Sequence, residues 1–296
     1  MASLRIGTLR IDLVTEIRHR MMPLGFLFND LTRAEAERNF DWLGPEFIDR
    51  ESLDVGMAFQ AFVIRAHGRT ILVDTCNGNH KQRPTAPWQH DLRAHDFMRS
   101  LAGLGLAPGD IDMVLCTHLH CDHVGWNTRL VDGRWVPTFP NARYVMNRAE
   151  YDHYAARFAT EESTAVNHGA FEDSVLPVVN AGLADFVDAD HRVLHEIEEE
   201  VFLRPSPGHS FGHCCIYARA GQAEAIVTGD LVHHPIQFDL PDLHMRADLD
   251  PDLAVQSRRR VMEYCAGSGA FLLAGHIPFW SMAQVEAKGS AFRLAI

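Results

Sequence analysis

Within six residues, His118-Leu119-His120-Cys121-Asp122-His123 gathers three imidazoles and a carboxylate at the end of an apolar run, residues 112–117. Neutral imidazole and carboxylate oxygen suit zinc and similar first-row divalent metals, with bonds of about 2.0–2.2 Å. If the run continues as a strand through His118 and His120, period-two alternation points both side chains to one face. The turn after them then brings Asp122 and His123 around from another direction, and two separate ligand sets become possible. A polar loop that happens to be rich in histidine is the competing reading. Packing gains little from concentrating groups that are costly to desolvate, which favours the metal.

Three more candidates stand at the ends of apolar runs: His209 in SPGHSFGH, Asp230 in IVTGD and His276 in LLAGH. Singly, each has an ordinary structural explanation: a turn cap, a helix N-cap and a satisfied core histidine. Together, in this order after HxHxDH, they supply what the first motif lacks.

These residues need elements to hold them. Residues 4–17 alternate like one strand or two, whereas 21–50 are rich in Phe, Leu and charges without a clean period. Runs 58–66 and 70–75, separated by HGR, predict a hairpin that ends in the polar loop 74–89. A helix over 95–104, stopped by Gly105, leads to the buried strand 112–117. A second round follows: strand 142–146, helix 148–159, a long helix within 163–182, strands 201–204, 214–219 and 224–228, helix 251–266 and strand 271–274. Strands and helices thus alternate in two blocks with no linker between them, which predicts a single domain, 1–296, of layered α/β type.

Composition bounds the partners. The chain has 296 residues, 47% hydrophobic and 22% charged, enough for a sizeable core. Its 27 Lys and Arg against 39 Asp and Glu give a net charge of −12, so nucleic acid is not an expected partner. There is neither an apolar stretch of about 18 residues nor a leader-like h-region, so no membrane is expected. The six cysteines lack CxxC spacing and predict free thiols in a reducing compartment, hence a cytoplasmic protein.

With its HxHxDH, His, Asp, His order, the sequence resembles the metallo-β-lactamase-fold hydrolases at all seven positions. The resemblance implies a four-layer αββα sandwich over about 55–280, with 1–54 as an N-terminal strand plus a lid or dimer arm. It also implies that His118, His120 and His209 hold one divalent metal, Asp122, His123 and His276 a second, and that Asp230 bridges them. Zn2+ is the first expectation, with Mn2+, Fe2+ or Co2+ as alternatives. Two such ions about 3.5–4 Å apart share a hydroxide, lower the pKa of its parent water and polarise the electrophile. Hydrolysis is the natural reaction. Asp122 would orient the hydroxide and shuttle a proton to the leaving group. Thr117, Cys121, Ser210 and His213 are read as supporting residues.

Within that superfamily, Asp230 stands where class B1 and B2 β-lactamases carry cysteine. Leu119 departs from the acidic residue of flavodiiron proteins, and the basic surface of the nuclease branches is absent. Glyoxalase II, a thioesterase, shares the ligand set, but only twenty residues follow His276, too few for its C-terminal helical domain. Persulfide dioxygenases, which use a single iron, are disfavoured for the same reason. GDLVHHPIQF and AGHIPF look more like the branch of methyl parathion hydrolase and the N-acyl-homoserine lactonases. That branch implies a lactone or other carboxylic ester as substrate, with organophosphate triesters as a side activity. His233 or His234 would replace the tyrosine that polarises the carbonyl in the lactonases. A metal-bearing small-molecule sensor is the non-enzymatic alternative, which intact Asp122 disfavours. Expected substrate walls include residues 21–28, Trp88, Trp126, Phe139, Phe211, Phe238 and Trp280, with Trp126 and Phe238 foremost. A homodimer formed through 21–50 is also expected.

Overall fold

A computed structural model of the chain describes residues 2–94, 96–196 and 198–295. The N-terminal alternation resolves into two strands, β1 (Ser3–Ile6) and β2 (Leu9–Met22). The predicted hairpin is β3 (Val55–Ala66) with β4 (Arg69–Val73). Then come β5 (Met113–Leu115), a separate ribbon of β6 (Thr128–Val131) and β7 (Arg134–Pro137), β8 (Arg143–Asn147) and β9 (Ala184–Val187). The second half supplies β10 (Arg192–His195), β11 (Glu199–Pro205), β12 (Cys214–Ala220), β13 (Ala223–Val227), β14 (Phe271–Leu273), β15 (Met282–Lys288) and β16 (Ala291–Ala295). One seven-stranded sheet has the order β1-β2-β3-β4-β5-β8-β9 and the other runs β10 to β16 in sequence.

The two sheets share a device. An antiparallel run turns parallel after a helical crossover, through helix Asp96–Gly103 from β4 to β5 and through helix Pro251–Ser268 from β13 to β14. The second helix starts on an Asp250 cap that accepts from the Leu253 amide at 3.1 Å and ends at Gly269 in the left-handed conformation.

Alternation on β3 shows how the layers form. Phe62 and Ile64 face the gap between the sheets with Ile71, Val73, Leu203, Ile216 and Val227. Ala61 and Val63 face outward, against Phe97, Leu101, Phe171 and Val175 of the helical layer. A third apolar cluster joins the outer face of the second sheet to Val261, Met262 and Cys265 and to Leu27, Phe28, Leu43, Phe47 and Ile48 of the N-terminal segment. Three apolar interfaces among four layers make the αββα sandwich.

Some expectations fail. Residues 163–182 are not one long helix but 3-10 turns at Ser163–Ala165 and Asn167–Gly169, a π turn at Phe171–Val175 and a short helix Leu176–Asn180. Left-handed φ at Asn167, His168 and Gly169 interrupts the helical path, and Pro177 has no amide proton to continue it. The helix predicted from position 95 begins at Asp96, position 95 itself lying outside the described residues. β6, β7, β9, β10, β15 and β16 have no counterpart among the predicted strands; β9, β10 and β16 are sheet edges, which carry little apolar signal. β16, for instance, is buried only at alternate residues. Among the described residues no helix is long and apolar enough to cross a membrane, and all six cysteines are buried free thiols.

Candidate metal centre

The seven ligand candidates meet at one rim of the sandwich. His118 and His120 follow β5, His209 lies between β11 and β12, Asp230 follows β13 and His276 follows β14. Asp122 and His123 sit on the single helical turn Cys121–Val124. The strand ends at Leu115, short of His118 and His120. The Thr117 amide donates to Asp74 Oδ1 at 2.8 Å while its carbonyl accepts from the Cys214 amide at 2.9 Å, which carries the chain from the first sheet towards the second. The two imidazoles converge all the same, with ring centroids 4.5 Å apart.

Asp230 is the centre of the geometry. Its Oδ2 lies 3.1 Å from His209 Nε2 and 3.7 Å from His118 Nε2. Its Oδ1 lies 2.8 Å from His123 Nε2 and 3.1 Å from His276 Nε2. His120 turns Nδ1 inward, 2.9 Å from His209 Nε2, and Asp122 Oδ2 is 3.7 Å from His276 Nε2. The donor atoms of His118, His120, His209 and Asp230 lie within 4.8 Å of one another, as do those of Asp122, His123 and His276. These groupings coincide with the sets that the resemblance implies, and a third group, Asp230, His233 and His276, overlaps both.

The donor set fits two divalent ions. His118 Nε2 and Asp230 Oδ1 are buried without a hydrogen-bond partner among the described residues, although imidazole nitrogens surround the carboxylate. His123 Nε2 and His276 Nε2 face each other at 3.2 Å. Atoms sharing a tetrahedral ion with bonds of about 2.0–2.1 Å lie about 3.3 Å apart, so such spacing is what a common ion requires. Burial and neighbouring imidazoles hold His118 and His120 well below the usual histidine pKa, whereas the Asp230 carboxylate pushes His123, His209 and His276 up despite their burial.

A further layer of groups orients the rings. His123 Nδ1 is 2.9 Å from Asp74 Oδ2, His209 Nδ1 is 2.8 Å from Asp248 Oδ1, and His276 Nδ1 donates to the Ala58 carbonyl at 2.9 Å. The Asp230 amide donates to His213 Nε2 at 3.0 Å, and burial, with His209 beside it, pushes His213 down to about 3. Gly229 makes this approach possible: at φ 50, a Cβ there would stand 2.6 Å from His213 Nε2. Gly125 serves the other flank, where a Cβ would meet the Asn77 carbonyl at 1.8 Å. Asp74 and Asp248 escaped the sequence reading. Asp74 had a signal, since it ends an apolar run (TILVD) much as Asp230 does; Asp248 had none.

A cavity of about 710 Å3 opens over the centre. Asp122, His120, His209, Asp230, His233 and His276 line it, with Phe26, Leu27, Met57, Trp88 and Met245 forming an apolar wall. His233 Nε2 is 3.1 Å from Asp230 Oδ2, and its ring lies parallel to that of His276 at 5.3 Å. Six expected substrate contacts are not among the residues that line the cavity. Trp126 stacks on Phe97 and donates to buried Glu16 at 2.7 Å, because the turn after Gly125 aims it at the helical layer. His234 Nε2 donates to the Phe47 carbonyl at 2.8 Å, and Phe238 is buried in the apolar cluster beside it. Trp280 stacks on Trp42 and Phe47, whereas Phe211 is 57% exposed against His153. Phe139 is likewise core. Trp88 and Phe26 do line the cavity, joined by Tyr154, Arg157, His168 and Arg246, none of which the sequence had singled out.

Comparison with known proteins agrees with this geometry. The chain is 26% identical over 177 residues to "N-acyl homoserine lactonase AiiA" of Bacillus thuringiensis subsp. kurstaki, a match covering 60% of each chain. It is 28% identical over 186 residues to "N-acyl homoserine lactonase AttM" of Rhizobium johnstonii, covering 60% of this chain and 63% of that one. The matched stretch therefore spans less than two thirds of these relatives. In structure the chain is similar to AbOPH, a hydrolase of the beta lactamase superfamily (TM-score 0.79, 22% identity, 99% and 95% of the two chains). It is also similar to AidC, described as a dizinc quorum-quenching lactonase in complex with a product (TM-score 0.76, 20% identity, 99% and 96%). The family model of the metallo-beta-lactamase superfamily matches residues 60–267, and the chain belongs to that superfamily.

Proposed function

We propose that this chain is a dinuclear metal-dependent hydrolase of a lactone or another carboxylic ester. The observation that carries this reading is Asp230, a single buried carboxylate whose two oxygens face different imidazole sets. Divalent ions in those sets, Zn2+ first and Mn2+, Fe2+ or Co2+ otherwise, would supply an activated water and a Lewis acid for the carbonyl. Asp122, at the cavity floor beside His276, orients the attacking water and passes its proton to the leaving oxygen. His233 lines the cavity and donates a hydrogen bond to the carbonyl oxygen as charge develops. The apolar wall takes the hydrocarbon part of the substrate, and the lactonase names of the relatives support a lactone. A phosphoryl oxygen makes the same electrostatic demand, so aryl organophosphate triesters are a side activity in this reading.

The test is a panel of lactones, aryl esters and aryl phosphotriesters assayed with protein loaded with zinc, manganese, iron(II) or cobalt. Turnover of lactones or esters that disappears on chelation is expected; no metal-dependent turnover on any of them overturns the reading. In the His233→Phe variant the turnover rate should fall by about 10²–10³ with metal content unchanged, the size of one lost oxyanion donor. Loss of metal instead would make His233 a ligand.

A further inference from the structure

The cavity lining is chemically mixed. Besides its apolar residues it includes Tyr154 and Arg157 of helix Arg148–Phe158, His168 of the interrupted segment 163–175, and exposed Arg246, whose amide donates to the Leu27 carbonyl at 2.7 Å next to Phe26. These groups present donors. Arg157 commits Nε and Nη2 to Glu161, each at 2.8 Å, and keeps Nη1 free. Arg246 donates Nη1 to the Gly25 carbonyl at 2.9 Å and has no ion-pair partner among the described residues. The Tyr154 hydroxyl, with its pKa pushed up by burial, stays protonated. His168 Nδ1 is 2.6 Å from Thr85 Oγ1, which leaves Nε2 for the cavity.

His168 is held there against its backbone preference. Asn167 and His168 both have left-handed φ, 50 and 53, a conformation L residues adopt at some cost. Asn167 Nδ2 donating to the Leu119 carbonyl and Arg83 Nη1 donating to the His168 carbonyl at 3.3 Å hold the pair in place. The cavity carboxylates are Asp122 and Asp230 alone, and both belong to the metal sets. In a chain of net charge −12, the cavity thus carries one guanidinium without an ion-pair partner, Arg246, a second, Arg157, paired to Glu161, and, among the described residues, no acid outside the metal sets.

We propose that the substrate carries an oxyanion substituent, in the first instance a carboxylate, that Arg246 and Arg157 read while Tyr154 and His168 donate to it. The hydrocarbon part then lies on Phe26, Met57 and Trp88, and the scissile carbonyl sits over Asp230. Guanidinium presents planar, charged donors that match a carboxylate, whereas a neutral acyl lactone offers them carbonyl acceptors but no opposite charge. This inference rests on the hydrolase reading for the position of the carbonyl, and its test is kept separate from turnover.

The experiment is calorimetry on the metal-loaded protein with two non-hydrolysable γ-lactams of equal length, one ending in a carboxylate and the other in its methyl ester. The carboxylate should bind about tenfold tighter or more, the size of one charge-assisted hydrogen bond, with the preference shrinking as salt is added. In the Arg157→Met, Arg246→Met double variant the preference should fall below about threefold, and Arg157→Lys, which keeps the charge, should retain part of it. Equal binding, tighter binding of the methyl ester, or no binding of either lactam overturns the proposal. Turnover of neutral lactones without carboxylate preference in binding overturns it and leaves the hydrolase reading standing. A carboxylate preference without turnover of any ester does the reverse.

Discussion

Asp74 and Asp230 occupy matching places in the two sheets. Each follows the second strand of a hairpin, β4 or β13, just before the helical crossover that makes the next strand parallel. Their surroundings differ. Asp74 accepts from the Thr117 amide and hydroxyl, each at 2.8 Å, and lies 2.9 Å from His123 Nδ1, so its oxygens are satisfied by the protein. Asp230 meets imidazole Nε2 atoms on both oxygens, and its Oδ1 makes no hydrogen bond among the described residues. One fold position therefore yields a carboxylate held by protein donors in one half and a ligand candidate in the other. The difference lies in what faces the carboxylate: a backbone amide and a hydroxyl donate to Asp74, whereas imidazole Nε2 atoms surround Asp230.

Three substitutions probe that contrast, and a pair on other buried groups sharpens it. Asp230→Asn should cost most, lowering metal affinity at both sets by more than about 100-fold, because an amide offers one neutral oxygen where two charged ones faced two ligand sets. Metal content by mass spectrometry after dialysis checks it; retention of two equivalents would remove Asp230 from the bridge. Asp74→Asn should be milder, about 10–100-fold, the range typical for groups that orient a ligand. Equal losses in the two variants would erase the distinction drawn here. Asp248→Asn should resemble Asp74→Asn, acting through His209.

Lys81 gives the cationic version of the same contrast. Burial pulls it down to about 7 although the Asp173 carboxylate lies 3.5 Å away, with Arg83 also on that carboxylate and Thr128 and the Trp135 ring around the amine. Between that value and the unfolded value near 10.4 the unfolded chain binds a proton that the folded chain does not. Stability should therefore rise with pH across this window, at up to about 1.4 kcal/mol per unit, and this slope should be absent below about pH 7. Urea unfolding of wild type and Lys81→Met at several pH values isolates it. The same slope in both proteins would show that Lys81 is not its source. Smallest is Trp126→Phe, which removes one hydrogen bond to Glu16 and should cost about 1 kcal/mol of stability with substrate preference unchanged. A changed preference would return Trp126 to the substrate wall.

The ligand candidates were legible because metal binding demands particular residue types close together. HxHxDH concentrates them within one loop, and His209, Asp230 and His276 end apolar runs that must finish at a sheet rim. The groups that orient them were not legible. Asp248 reaches His209 across 39 positions and Glu16 reaches Trp126 across 110, with no spacing rule between them. The substrate wall misled for the same reason. Trp126 and Phe238 are near the motifs in sequence, but turn geometry sends both into the core. Tyr154, Arg157 and His168 come from helices and turns with no motif at all.

The sequence by itself determined the chemistry at the rim, the two-block α/β order and the end of each central strand, because these rest on residue type and local periodicity. Tertiary structure alone decided that Asp230 stands between two imidazole sets while Asp74 does not, and that the cavity brings apolar residues and hydrogen-bond donors together. Those outcomes depend on how two sheets and their crossovers pack, and packing brings together side chains that no local pattern relates.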